Sequence, residues 1–262
     1  MTDASDWLLG GVIAFVVTLI TTPAGVSGAV LLLPVQISVL HVPNPALTPT
    51  NLLYNVLSTP GALARFARER RLRSPLTRAL LIGTIPGVLA GAVLRVEVLS
   101  GPRTFLIVVA IVLAPLGAWL AAGRTRQREA DAPRPGAGVS ACAFVTGLIG
   151  GVYGIGGGSL LAPLLAYLGF SLYAIAPAAL SSTFVTSVVG VLAYQALELA
   201  QGDGTIAPEW LLGISMGVGG ICGSYLGARL QPRIPEAALR RLLGLICLGL
   251  AVRYALQGLG VG

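Results

Sequence analysis

Apolar residues in this chain gather into long runs and seldom alternate with polar ones. Ten runs can be marked, over about 7–22, 29–40, 46–64, 75–94, 102–122, 139–153, 159–170, 174–199, 208–228 and 236–256. Most approach the roughly 20 residues that a helix needs to cross about 30 Å of hydrocarbon. Four are shorter. The runs at 7–22 and 29–40 are separated by Pro23-Ala-Gly-Val-Ser-Gly28, and those at 139–153 and 159–170 by Gly154-Ile-Gly-Gly-Gly158. A 12-residue helix reaches only about 18 Å, so short runs beside glycine-rich breaks predict half-helices or re-entrant hairpins.

Composition makes the solvent explicit. Of the 262 residues 55% are hydrophobic, 35 are glycine and only 10% are charged. A soluble chain of this length carries about a quarter of its residues charged, to cover its surface. The pattern therefore predicts an all-α integral membrane protein whose main partner is lipid. Its basic residues, behind a formal charge of +7, are all arginines, and most cluster in short segments between or at the edges of apolar runs. Such spacing suits membrane loops and speaks against nucleic acid.

Arginine-rich loops stay on the cytoplasmic side, which sets an orientation. Residues 65–73 carry five arginines, and the stretches 124–134 and 229–241 four each, so all three should face inward. The N-terminus, with Asp3 and Asp6, and the loop 198–209, with Glu198, Asp203 and Glu209, should face outward, as should the C-terminus. An acidic start without a basic leader also suggests that the first run is retained rather than cleaved. Parity then requires each opening group of three runs to invert the chain, by three crossings or by a hairpin and one crossing.

The two breaks are related. Gly25-Val-Ser-Gly-Ala-Val-Leu-Leu-Leu-Pro34 lies over Gly154-Ile-Gly-Gly-Gly-Ser-Leu-Leu-Ala-Pro163 at an offset of 129 residues. After a two-residue insertion, Thr50-Asn51-Leu-Leu-Tyr-Asn55 falls on Ser181-Ser182-Thr-Phe-Val-Thr186. We expect a first repeat over 1–123, a cytoplasmic linker over 124–138 and a second repeat over 139–262. The charge pattern starts the halves on opposite sides, so the repeats are expected to be inverted, the arrangement of secondary transporters with sites near the midplane.

Backbone breaks at membrane depth survive only inside protein or beside water. Glycine-rich turns let amides converge, and the helix that follows offers unpaired N–H groups and a positive dipole end, so each break can hold an oxyanion. The expected substrate-binding set is Gly25, Ser27, Gly28, Thr50, Asn51, Asn55, Gly154, Gly156, Gly157, Gly158, Ser159, Ser181, Ser182 and Thr183, with Thr186 beside it. The hydroxyl and amide side chains are expected at the mouths of the third helices. Acidic residues are almost absent from the runs, which disfavours a carboxylate cation site or proton relay.

Other chemistries are poorly served. Without lysine there is neither a Walker-type phosphate loop nor a Schiff base. His41 alone, with dispersed Cys142, Cys222 and Cys247, makes no familiar metal site. Gly154-Ile-Gly also fails as a dinucleotide motif, because Ser159 stands where a glycine is needed. No catalytic residue, metal or cofactor is expected, and the chain is compatible with a homo-oligomer.

The paired motifs GVSGAVLLLP and GIGGGSLLAP, each followed by a TN- or SS-type cluster, resemble the TauE/SafE family of membrane transporters, also called the sulfite-exporter or four-toluenesulfonate-uptake family. The second motif is the closer match, since the first carries Ser27 and Ala29 in place of Gly156 and Gly158. The resemblance implies movement of a small sulfur oxyanion or organosulfonate across a prokaryotic plasma membrane. The expected protein is therefore a multi-pass secondary transporter working by alternating access. An anion channel of the same fold is the first alternative, and a membrane-embedded enzyme or assembly partner the second.

Overall fold

The computed structural model describes residues 4–97, 110–111, 114–115, 117–122, 136–201 and 207–259. Among them the chain is all helical, as backbone without water to bond must be in lipid. The helices are α1 (Ala4–Thr21), α2 (Ala29–Ser38), α3 (Asn44–Arg68), α4 (Pro75–Glu97), α5 (Ala137–Tyr153), α6 (Gly157–Tyr167), α7 (Leu172–Gln201), α8 (Trp210–Leu230) and α9 (Glu236–Leu259). Helical residues at 110–111, 114–115 and 117–121 fall within the run expected over 102–122. The expected linker, apart from residues 136–138, and Asp203 of the acidic loop lie outside the described residues.

Among the described residues, five segments are long and apolar enough to cross a membrane: Ser5–Ala24, Pro75–Val96, Leu172–Ala200, Trp210–Arg233 and Glu236–Leu259. The first corrects an expectation. The helix starts before Trp7, with Asp6 in its first turn, where the dipole favours an acid, and so gains the length of a full crossing. Among the described helices, α2 and α6, with 10 and 11 residues, remain half-length. Leu8, Val12, Val16 and Ile20 form one exposed stripe along α1, and Leu211, Ile214, Val218 and Ile221 another along α8. Such stripes suit an acyl-chain solvent.

The central helix is polar. Thr48, Thr50, Asn51, Asn55, Ser58 and Thr59 of α3 are all buried, enclosed by neighbouring helices and kept from lipid. Around it, α1 packs on α8 and α4 packs on α5. Gly83, Gly87 and Gly91 of α4 meet the carbonyls of Ser140, Phe144 and Leu148, whereas Gly219, Gly223 and Gly227 of α8 meet those of Gly11, Phe15 and Leu19. Member by member, the glycines are 136 residues apart and the carbonyls 129 apart. A Cβ at any of these six glycines would press on backbone, so both seams depend on close approach of small residues.

Candidate functional site

Two helix interruptions enter the bundle from opposite ends. In the first, α1 ends in a 3-10 turn, Thr22–Ala24, and Gly25 reverses the chain at φ +79°. Gln231 donates from Nε2 to the Pro23 carbonyl at 2.8 Å and accepts at Oε1 from Arg71 at 3.0 Å, while Arg71 also donates to the Tyr173 carbonyl. The first break therefore starts at the arginine-rich end, where α3 and α8 finish. At the other end of α8, the Glu209 amide donates to Thr50 Oγ1 at 2.8 Å. The second break starts near that end, with Gly154 packed against the Thr48 carbonyl and Thr48 Oγ1 donating to the Val152 carbonyl at 3.2 Å.

Both breaks then run inward and meet. Ser27 Oγ and Ser159 Oγ are 2.6 Å apart, the Ser27 amide donates to Ser159 Oγ at 3.3 Å, and Ser159 Oγ donates to the Ile155 carbonyl at 3.1 Å. All residues from Thr21 to Val30 and from Gly154 to Ser159 are buried. Neither tip faces lipid. Gly154 and Gly156 both have φ +69°, a left-handed geometry that favours glycine, and Gly156 caps the start of α6. Asn55 approaches this turn from α3, donating from Nδ2 to the Gly154 carbonyl at 3.3 Å, and Thr183 approaches it from α7.

The expected polar residues separate into two groups. Gly25, Ser27, Gly28, Asn55, Gly154, Gly156, Gly157, Gly158, Ser159 and Thr183 surround the meeting point or its immediate flanks. The others are occupied elsewhere. Thr50 binds the Glu209 amide and its own helix. Asn51 accepts from Gln36 at 2.9 Å and donates to the Ala29 carbonyl at 3.2 Å, which pins α2 to α3. Ser181 is half-buried and donates back to the Pro177 carbonyl, Ser182 shares 2.9 Å with Thr84, and Thr186 bonds within α7. These side chains do not open the third helices. Because α3 begins at Asn44 and α7 at Leu172, Asn55 and Thr183 lie well inside their helices and so at depth.

Several neighbours were not anticipated. Tyr54 aims its hydroxyl at Gly28 and shares 2.8 Å with Thr18, while Thr84 and Gln36 hold Ser182 and Asn51. Only the recurrent glycine spacing at 83, 87 and 91 hinted that α4 approaches closely here. The buried polar groups among the described residues are the side chains of Ser, Thr, Asn and Gln, joined by the hydroxyls of Tyr54, Tyr194 and Tyr254. Such a site can donate and accept hydrogen bonds but offers no fixed charge.

Interrupted helices meeting inside an apolar bundle are the working parts of a membrane transporter. The chain belongs to the sulfite exporter TauE/SafE family, whose model matches residues 10–254. It is 26% identical over 260 residues to a "Probable membrane transporter protein" of Xylella fastidiosa strain 9a5c, covering 93% of this chain and 91% of that protein. A protein of the same description from strain Temecula1 / ATCC 700964 is 25% identical over the same shares. No solved structure matches the chain significantly.

Proposed function

We propose that the protein is a secondary transporter that moves a small anion, of the sulfur oxyanion or organosulfonate class, across a prokaryotic plasma membrane by alternating access. One observation carries the reading: two glycine-rich breaks entering from opposite ends meet at Ser27 and Ser159, among buried side chains that are all neutral. Amides at a helix start attract an anion, and neutral hydroxyls hold it without binding it irreversibly. The matched seams of α1 with α8 and α4 with α5 support two inverted repeats that rock about this meeting point. The arginine-rich end, with Arg71 bound to Tyr173 and Gln231, is read as cytoplasmic. The sulfur chemistry follows from the family description, and the bacterial membrane from the relatives' source.

An outward-moving anion is driven by an inside-negative potential at about 2.3 kcal/mol per charge per 100 mV. Export therefore needs no coupled ion and no catalytic step. The test is flux in proteoliposomes across a panel of sulfite, thiosulfate, sulfate and organosulfonates. Saturable flux with counterflow is expected for at least one of them, and Gly157→Leu should abolish it, because a side chain there meets Gly147 and Thr84 at 3.0 Å. Flux at wild-type affinity and rate in that variant would exclude the tip as the site.

A further inference from the structure

We propose that the substrate is held by the second break alone, at the start of α6, and that it is a singly charged oxyanion carrying its own hydrogen-bond donor. This rests on the anion reading above and narrows it. Asn55 is fully buried, and its Nδ2 donates to the Gly154 carbonyl at 3.3 Å. That bond fixes the amide's orientation, since the flipped form would set two acceptor oxygens against each other. The Oδ1 atom therefore points away from Gly154, buried and without a partner. Thr183 Oγ1, equally buried, also lacks a partner. An ideal Cβ at Gly156 would lie 2.6 Å from Thr183 Cγ2 and 3.4 Å from Asn55 Nδ2, so both side chains flank the glycine that caps α6.

A buried acceptor is costly to leave unsatisfied, and so is a buried donor. Together with the leading amides of α6 they describe a ligand: its anionic oxygens face the amides and the Thr183 hydroxyl, and its proton is donated to Asn55 Oδ1. An anion without a proton would set a lone pair against that oxygen. The first break has unpartnered atoms too, on Thr21, Thr22 and Gln36, but none of them stands at the positions that match this pair. By the repeat offsets the positions matching Thr183 and Asn55 are Leu52, which is apolar, and Thr186, whose hydroxyl bonds the Ser182 and Thr183 carbonyls. Ser27 is already engaged with Ser159, and Gly28 is covered by the Tyr54 hydroxyl.

Calorimetric binding to the purified full-length protein at mildly acid pH tests this with two ions of equal charge. Hydrogen sulfite carries a proton and methanesulfonate does not. The wild type should bind hydrogen sulfite at least about tenfold more tightly, as expected for one hydrogen bond to a charged ligand. Asn55→Leu should remove that advantage, so that the two ions bind with affinities equal within about threefold, whatever the loss of the bond to Gly154 does to both. Equal affinity of the wild type for both ions overturns the donor proposal while leaving the anion reading intact, and needs no variant to fold. A tenfold preference for hydrogen sulfite that survives in Asn55→Leu also overturns it. Failure of both ions and of the whole transport panel overturns the anion reading itself.

Discussion

The two breaks share a sequence plan, yet their interiors are filled differently. Around the first, polar groups answer one another: Ser27 with Ser159, Tyr54 with Thr18, Asn51 with Gln36 and the Ala29 carbonyl. Its unpartnered atoms lie off the tip: the Thr21 and Thr22 hydroxyls before it, and Gln36 Oε1 near the end of α2. Around the second, three consecutive glycines leave the backbone bare, and Asn55 and Thr183 beside it keep an unpartnered atom each. Two similar turns thus differ at their tips: the first is braced by its own side chains, and the second keeps unpartnered polar atoms beside its glycines. A brace and a receptor have different tolerances, and substitution can tell them apart.

The largest contrast is expected at the glycines. A Cβ at Gly158 runs into the Ala179 carbonyl, which belongs to helix backbone and cannot yield, whereas a Cβ at Gly28 meets the far end of Tyr54. Gly158→Ala should lower flux by about a hundredfold or more, the scale of an overpacked core strained by 1–3 kcal/mol compounded by a displaced site. Gly28→Ala should be milder, and Tyr54→Phe added to it should restore most of the flux. Proteoliposome flux measures both, and equal, irreparable losses would remove the distinction.

The seams sharpen the comparison because there the halves should behave alike. Gly87 faces the Phe144 carbonyl and Gly223 the Phe15 carbonyl, matched positions in matched contacts. Gly87→Leu and Gly223→Leu should therefore each destabilise the protein by about 1–3 kcal/mol, and by similar amounts. Thermal unfolding in detergent reads this. A much larger effect on one seam would mean that the matched contacts do not carry matched loads.

Next in size is the separation of receptor from scaffold. Thr183→Val removes an unpartnered hydroxyl, so it should weaken substrate affinity about tenfold with little change in unfolding temperature. Asn51→Ala deletes the pin between α2 and α3, so it should cost about 1–3 kcal/mol of stability and leave affinity nearly unchanged. If the two variants exchange these signatures, the assignment of roles is reversed.

Sequence alone separated helices from breaks well, because in lipid an apolar run has few structures other than a helix. It misjudged α1 by counting from Trp7, since hydropathy ignores the polar first turn that a helix can recruit. Within the polar clusters it named Asn55 and Thr183 but also Thr50, Asn51 and Ser181. These residues have the same chemistry, and what distinguishes them is whether a partner has been found. Glu209, Gln36 and the Pro177 carbonyl decide that, and they are brought there by tertiary packing or the helix turn. The seam glycines escaped notice because their offset of 136 differs from the 129 of the motifs.

The smallest expected effect bears most directly on the proposed rocking of the halves. The 2.6 Å contact between Ser27 and Ser159 joins the two breaks, and any rocking of one half against the other must loosen it. Side-chain hydrogen bonds in membrane interiors are worth about 0.6 kcal/mol on average, which corresponds to roughly threefold in a rate or equilibrium. Ser27→Ala should accordingly change maximal flux by about threefold and leave substrate affinity alone, because Ser159 keeps its bond to the Ile155 carbonyl. Ser159→Ala also deprives the Ser27 amide of its acceptor and should act somewhat more strongly, and the double variant should show less than the sum of the two. A tenfold loss of affinity in Ser27→Ala at unchanged maximal flux would make Ser27 a substrate contact. The first break would then share the load, and the division into brace and receptor would fail.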